Sequence, residues 1–151
     1  MKTVLIGLSF ALIMFSCTKK HGPEEILQKY VDYRFSASQS REGALEMLTG
    51  ELKQKLSEMS EEELKIYLSA ENLKKKSLQI QSSNCSSNIC NIVYVLKYER
   101  TDKGKEPYLV ENKKEAVLNL EDKDWKISDV KNIKTYIEAP EIGVSSKAED
   151  L

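Results

Sequence analysis

Histidine is nearly missing from this chain of 151 residues: His21 is the only one, against 23 basic and 24 acidic side chains. With so few histidines, a zinc site would have to be built from other ligands, and none cluster at ligand spacing. There is no Gly-rich phosphate loop and no nucleophile elbow. There is no internal repeat and no low-complexity tract. The net charge is only −1, so the chain lacks the basic excess that nucleic acid or an anionic membrane surface would select. No apolar run reaches the roughly 20 residues that a spanning helix needs. Cysteines number only three, too few for a disulfide scaffold.

What is present begins at the first residue. Lys2 supplies a positive charge, Thr3 to Phe15 form an apolar stretch, and Ser16 and Cys17 close it. This is the pattern of a secretory signal, to be set aside from fold reasoning. No Ala-x-Ala-like site follows it. The segment Met14-Phe15-Ser16-Cys17 resembles the lipobox of bacterial lipoproteins, with Phe15 departing from the small residue usual two places before the cysteine. The resemblance implies cleavage before Cys17 and multiple acylation of that residue, a stable anchor where a single acyl chain holds only marginally. Thr18 stands where an aspartate would mark inner-membrane retention, so the resemblance favours the outer membrane. Loss of Lys2 leaves 22 of the 23 basic residues against 24 acidic ones, a mature net charge near −2.

The remaining cysteines are Cys85 and Cys90, an even pair exported to a compartment where disulfides persist. Their spacing, Cys-Ser-Ser-Asn-Ile-Cys, is not the Cys-x-x-Cys of redox motifs. A structural disulfide is expected.

The chain divides into a signal peptide (residues 1–16), a tether (17–22), one domain (23–138) and a flexible tail (139–151). Pro23 is suited to a first helical position, with Glu24 and Glu25 at the positive end of the dipole. Ile26, Leu27, Tyr30, Val31, Arg34 and Phe35 then recur at helical spacing. A second helix is expected from an Ser40 N-cap, carrying Leu45, Leu48, Leu52, Leu56 and Met59 inward. Thr49-Gly50 is a weak point within it, since mid-helix glycine costs about 1 kcal/mol relative to alanine; the segment reads as one helix or as two short ones with a turn there. Ser60-Glu61-Glu62-Glu63 reads as a capping box opening a further helix with Leu64, Tyr67, Leu68 and Leu73. Lys74-Lys75-Lys76 is expected to complement that helix's C-terminus.

Beyond Lys76 the period becomes two. Leu78 and Ile80 alternate with polar residues, Ser82 to Asn88 reads as a turn, and Cys90, Ile92, Tyr94, Leu96 and Tyr98 share a strand face. Asp102-Lys103-Gly104 predicts a hairpin turn. A third strand follows with Tyr108, Val110, Ala116, Leu118 and Leu120 in phase. Asp122-Lys123-Asp124 predicts another tight turn before a fourth strand holding Trp125, Ile127 and Ile133. If Cys85 faces Cys90, simple counting sets Ile80 against Val95, on the wrong face. A bulge near Ser82-Ser83 restores Leu78 and Ile80 to the Tyr94 face.

Helices followed by strands make an α+β pattern: N-terminal helices on a curved four-stranded antiparallel sheet. The stretch Met47-Leu48-Thr49-Gly50-Glu51-Leu52, the capped Ser60 to Leu68 helix, and Trp125-Lys126-Ile127 before Val130 resemble small bacterial lipoproteins of the nuclear transport factor 2-like superfamily. The resemblance covers Pro23 to Glu138 and implies a cone-shaped domain with helices in the concave side of the sheet. Enzymes of that superfamily commonly use a histidine and an aspartate in the cone, and no histidine here matches.

The carboxylates that could stand in as a base are Asp32 and Asp129, the latter read as in phase with Trp125 and Ile127. Both are more often solvated residues. Tyr94, Tyr98, Tyr108 and Trp125, with Tyr30, fall on apolar stripes and could line a ligand pocket with Asp129, although aromatics so placed are more often core. The expected function is a non-catalytic, membrane-anchored envelope module that engages another envelope protein. The alternative is a ligand-binding or weakly catalytic cone. No cofactor, metal or nucleic acid is expected; the membrane is reached through lipidated Cys17.

Overall fold

The computed structural model describes residues 21–138; the signal segment, Cys17 and the 139–151 tail lie outside them. The described residues form α1 (Pro23–Arg34), α2 (Arg41–Glu46), α3 (Gly50–Glu58), α4 (Glu61–Leu68), β1 (Leu73–Cys85), β2 (Ile89–Arg100), β3 (Tyr108–Glu121) and β4 (Asp124–Glu138). The fold is α+β, with an open antiparallel sheet in the order β1-β2-β3-β4. Among the described residues no helix is long and apolar enough to cross a membrane.

Local chemistry sets the helix ends. Pro23 opens α1, and Ser40 caps α2 by accepting the Gly43 N–H at 3.1 Å. Of the two readings of this segment the divided one holds: α2 and α3 are separate helices. Gly50 has φ +58°, where a side chain would cost about 1–2 kcal/mol. The capping box of α4 is complete, Glu63 accepting the Ser60 N–H at 2.9 Å and Ser60 Oγ accepting the Glu63 N–H at 3.3 Å.

The helices cover one face of the sheet. Leu27, Val31, Ala44, Leu48, Leu56, Leu64 and Leu68 meet Cys90, Ile92, Tyr94, Leu96, Ala116, Leu118 and Ile127 in a single core. The other sheet face is charged, with Lys97 against Glu111 and Lys76 against Glu99.

Two expectations about β1 are corrected and a third holds. Leu73 and Lys74–Lys76 belong to the strand and not to the end of α4, because the ladder runs on to pair Leu73 with Arg100. Lys75 pairs with Asp32 of α1, and Lys76 with Glu99. The segment Ser82–Cys85 is strand rather than turn, and the hairpin connection is only Ser86–Asn88. The bulge does occur. Cys85 lies opposite Cys90 and Ile80 opposite Tyr94, leaving Gln81 as the extra residue.

Strand β4 carries irregularities with consequences for the site. Leu118 pairs with Ile127 but Val117 pairs with Asp129, so Ser128 is extra. At that point the α2–α3 connection docks on the strand edge, Thr49 N–H bonding Ile127 O and Ile127 N–H bonding Met47 O, both at 2.9 Å. A second shift beyond Asn132 leaves Ile133 exposed.

Candidate functional site

Between α1, α3, α4 and the inner face of the sheet lies a cavity of about 400 Å³. Helix α1 contributes Tyr30 and Arg34, which share a helix face because they are four residues apart. Tyr67 comes from the last turn of α4. Strand β2 supplies Tyr94, Leu96 and Tyr98. Strand β3 supplies Asn112 and Lys114, set opposite Leu96 and Tyr94 in the ladder. Lys55 of α3 stands at the edge, and Phe35 packs on Tyr98 with ring centroids 5.8 Å apart.

The polar groups are partly paired. Tyr30 and Tyr67 hydroxyls lie 3.3 Å apart, and Asn112 Nδ2 donates to Tyr98 Oη at 3.2 Å. Arg34 donates through Nη2 to the Tyr67 carbonyl at 2.6 Å, and its guanidinium sits 4.2 Å from the centre of the Tyr67 ring. Of three buried polar side-chain atoms without a partner among the described residues, two lie here, Arg34 Nη1 and Asn112 Oδ1; the third, Gln39 Oε1, belongs to a residue lining a separate groove. Asn112 is only 8% exposed, so its bare oxygen carries a desolvation cost of about 1–3 kcal/mol.

Charge in the cavity is of one sign. Arg34, Lys55 and Lys114 line it, and among the described residues no aspartate or glutamate does. Burial, then the neighbouring Arg34, pushes the Lys114 ammonium below its ordinary pKa. Burial, reinforced by Tyr67, pushes the Tyr30 phenol up, and burial alone does the same for Tyr94. Both phenols therefore stay protonated and remain O–H donors at neutral pH. The cavity combines aromatic walls with cations and donors.

Sequence-predicted residues divide sharply. Tyr94 and Tyr98 line the cavity together with Tyr30. Tyr108 does not: its hydroxyl donates to Asp102 at 3.0 Å, beside the Arg100–Asp102 ion pair, and serves the β2–β3 connection. Trp125 sits opposite Leu120 next to the β3–β4 turn and packs on the core instead. Asp129 is turned away by the extra residue Ser128, is 43% exposed at its side chain, and pairs with Lys131 at 2.9 Å. It is not a buried acid. Asp32 is engaged by Lys75 and Gln28; burial works to raise its pKa, but those hydrogen bonds outweigh it and hold the carboxyl below its usual range. Cys85 and Cys90 are joined at the hairpin tip with Cα atoms 4.0 Å apart. His21 pairs with Glu25 at the start of α1. Cys17 lies outside the described residues. Among them no cluster of metal-ligating side chains occurs.

Arg34, Tyr67, Asn112 and Lys114 were not read as site residues. The signal for two of them was present: Asn112 and Lys114 fall in phase with Val110, Ala116 and Leu118, as polar positions in an apolar row.

A larger groove, about 940 Å³, runs between the 35–42 connection and α4. Its main cation, Arg41, is fully engaged by the carbonyls of Leu56, Ser57 and Met59 and by Glu61.

No protein-family model matches the chain, and no curated protein matches it. Among solved structures, it is similar to the intermembrane space region of the chloroplast protein ARC6, with a TM-score of 0.54 at 12% identity, over 72% of this chain and 92% of the other. It is also similar to a putative Ca/calmodulin-dependent kinase II association domain from Exiguobacterium sibiricum 255-15, with a TM-score of 0.50 at 10% identity, over 78% and 91%. At these identities the likeness is one of fold, an α+β domain with helices against an antiparallel sheet.

Proposed function

We propose that this chain is a lipid-anchored envelope protein with a nuclear transport factor 2-like domain, acting as a non-catalytic recognition module through its concave face. The observation that carries the reading is the cavity of about 400 Å³, in which Arg34 Nη1 and Asn112 Oδ1 await partners. That volume falls in the range of about 300–1,000 Å³ typical of small-ligand sites. The lining holds cations, phenols and an amide but neither carboxylate nor histidine, which suits binding better than acid–base turnover. The putative association domain and the intermembrane space region among its fold neighbours are loosely in keeping with an interaction role.

The anchor rests on the sequence around Cys17. From there the tether Thr18–Gly22, five residues, extends at most roughly 17 Å. Helix α1 starts beside the β1–β2 hairpin, where Ser83 Oγ bonds Glu24 at 2.5 Å. The hairpin end would therefore lie near the lipid surface, and the cavity, at the other end of α1, would lie away from it. That placement favours a water-borne ligand over a lipid.

One experiment tests both halves. Wild type and Cys17→Ser are fractionated from cells, and residues 17–151 carrying Cys17→Ser are screened by native mass spectrometry against neutral, cationic and anionic small molecules. Lipid on wild type alone, and one-to-one binding of some class, are expected. Normal processing of Cys17→Ser would overturn the anchor, and failure to bind any class would overturn the recognition role.

A further inference from the structure

Resting on the recognition reading, we infer that the cavity selects a small organic monoanion, a carboxylate carried on an aromatic or apolar body, held by Lys114, Arg34 Nη1 and Asn112 over a wall of Tyr94 and Tyr98. The first ground is the lone sign of charge. A lysine on the core-facing row of a central strand normally finds an acid, yet Lys114 has Arg34 as its charged neighbour and no carboxylate lines the space. Two cations brought together inside a domain repel each other. An anion between them converts that repulsion into two attractive, partly desolvated contacts.

The second ground is the unpaired hydrogen-bonding groups. Arg34 Nη1 is a buried donor without an acceptor, and Asn112, 8% exposed, has its amide nitrogen on Tyr98 and its oxygen on nothing. A carboxylate supplies the acceptor that Arg34 lacks. A hydroxyl or amide N–H beside that carboxylate supplies the donor that Asn112 lacks. A ligand with both satisfies two groups that otherwise remain buried and bare.

The third ground separates carboxylate from phosphate. Phosphate sites use helix N-termini, loop N–H groups and bidentate arginines. Here Arg34 and Tyr67 stand in the last turns of α1 and α4, the negative ends of those helices. Arg34 also has one fork arm tied to the Tyr67 carbonyl. Such a field opposes a dianion more strongly than a monoanion, so a carboxylate on an apolar body is favoured over a phosphate.

The carboxylate could belong to a free acid or to the end of a peptide, and two probe pairs tell these apart. Residues 17–151 carrying Cys17→Ser are titrated calorimetrically with 3-phenyllactate, 3-phenyllactamide and 2-phenylethylamine. The second pair is N-acetyl-Gly-Phe and its C-terminal amide. Binding of at least one acid, at least tenfold tighter than its amide, is expected. Preference for phenyllactate assigns a free acid, and preference for the peptide assigns a chain end. In Lys114→Met, which keeps the stem and removes a half-buried charge, the preference for acid over amide should fall at least tenfold while the melting temperature does not drop. Arg34→Lys is the second variant and should weaken the acid without abolishing it. Amides binding as well as acids, or an undiminished preference in folded Lys114→Met, would overturn the inference. Binding of the amine or the neutral probes alone would overturn it too, yet leave the recognition role standing. Binding of none would overturn the inference, and an empty result in the wider mass-spectrometric screen as well would overturn the recognition role.

Discussion

Ile80 lies directly opposite Tyr94 although Cys85, five residues on, lies opposite Cys90, four residues before Tyr94. The mismatch is absorbed by Gln81. Because side chains alternate, that extra residue decides which face Ser77 to Ile80 present, up to a second extra residue at Lys76. With it, Leu78 and Ile80 join the core-facing row. Deleting Gln81 should turn both outward and cost about 2–3 kcal/mol, taking half-burial of each as roughly 1–1.5 kcal/mol. The disulfide at the tip prevents the hairpin from slipping to compensate. Urea unfolding of the deletion, with and without Cys85→Ala and Cys90→Ala, should show a smaller loss in the cysteine-free background. The two alanine substitutions alone should cost no more than about 2–3 kcal/mol, given the short loop.

Gly43 is held small by Tyr33. The Tyr33 hydroxyl donates to Ser40 O at 2.9 Å and accepts the Ser40 N–H at 2.5 Å, closing the connection before α2. A methyl at Gly43 would stand 2.5 Å from that oxygen and 2.9 Å from the ring. Helix propensity favours alanine by about 1 kcal/mol, but overpacking costs about 1–3 kcal/mol. Gly43→Ala should therefore destabilise by about 1 kcal/mol in chemical denaturation. The same change should cost less in a Tyr33→Phe background.

The β3–β4 turn is strained. Asp122 and Lys123 have φ of 49° and 74°, the conformation of a two-residue type I′ hairpin turn, which prefers Asn-Gly. Asp122→Asn with Lys123→Gly should raise stability by about 1 kcal/mol and leave ligand binding unchanged, because the turn is remote from the cavity. A lower melting temperature would contradict this.

Acid should weaken the β2–β3 connection in a defined way. The hydrogen bond from Tyr108, then that from Arg100, holds the Asp102 carboxyl below its ordinary value of 3.8. A depressed folded pKa contributes stability above the unfolded value, and that contribution is lost as pH falls through the folded one. Tyr108→Phe removes the larger cause. Carboxyl-carbon NMR titration should find Asp102 titrating higher in the variant than in wild type. The stability gap between the two should be constant near neutrality and close on the acid side.

Much of the fold was legible because local rules agreed: the capping box at Ser60, the weak point at Gly50, the period change before Leu78, and the bulge demanded by counting from the cysteines. The misplaced pieces were set by distant partners. Lys74–Lys76 belong to a strand because β2 extends far enough to pair them, and Asp129 changes face because Met47–Thr49 docks against Ile127. Neither is a property of the local sequence. The site was half visible. Tyr94 and Tyr98 stood on an apolar row, whereas Asn112 and Lys114 looked like interruptions of one. In-phase polar residues on a buried strand face mark a place where something polar is to be met.

A recognition role requires that ligand bind on the helix-covered face of the sheet. Amide and side-chain NMR of isotope-labelled residues 17–151 carrying Cys17→Ser, titrated with 3-phenyllactate and N-acetyl-Gly-Phe, tests it most directly. Saturable shifts are expected, centred on Tyr30, Arg34, Tyr67, Tyr94, Asn112 and Lys114, with Arg41 and Asp129 unmoved. Shifts centred on the Arg41 groove, or none anywhere, would contradict it.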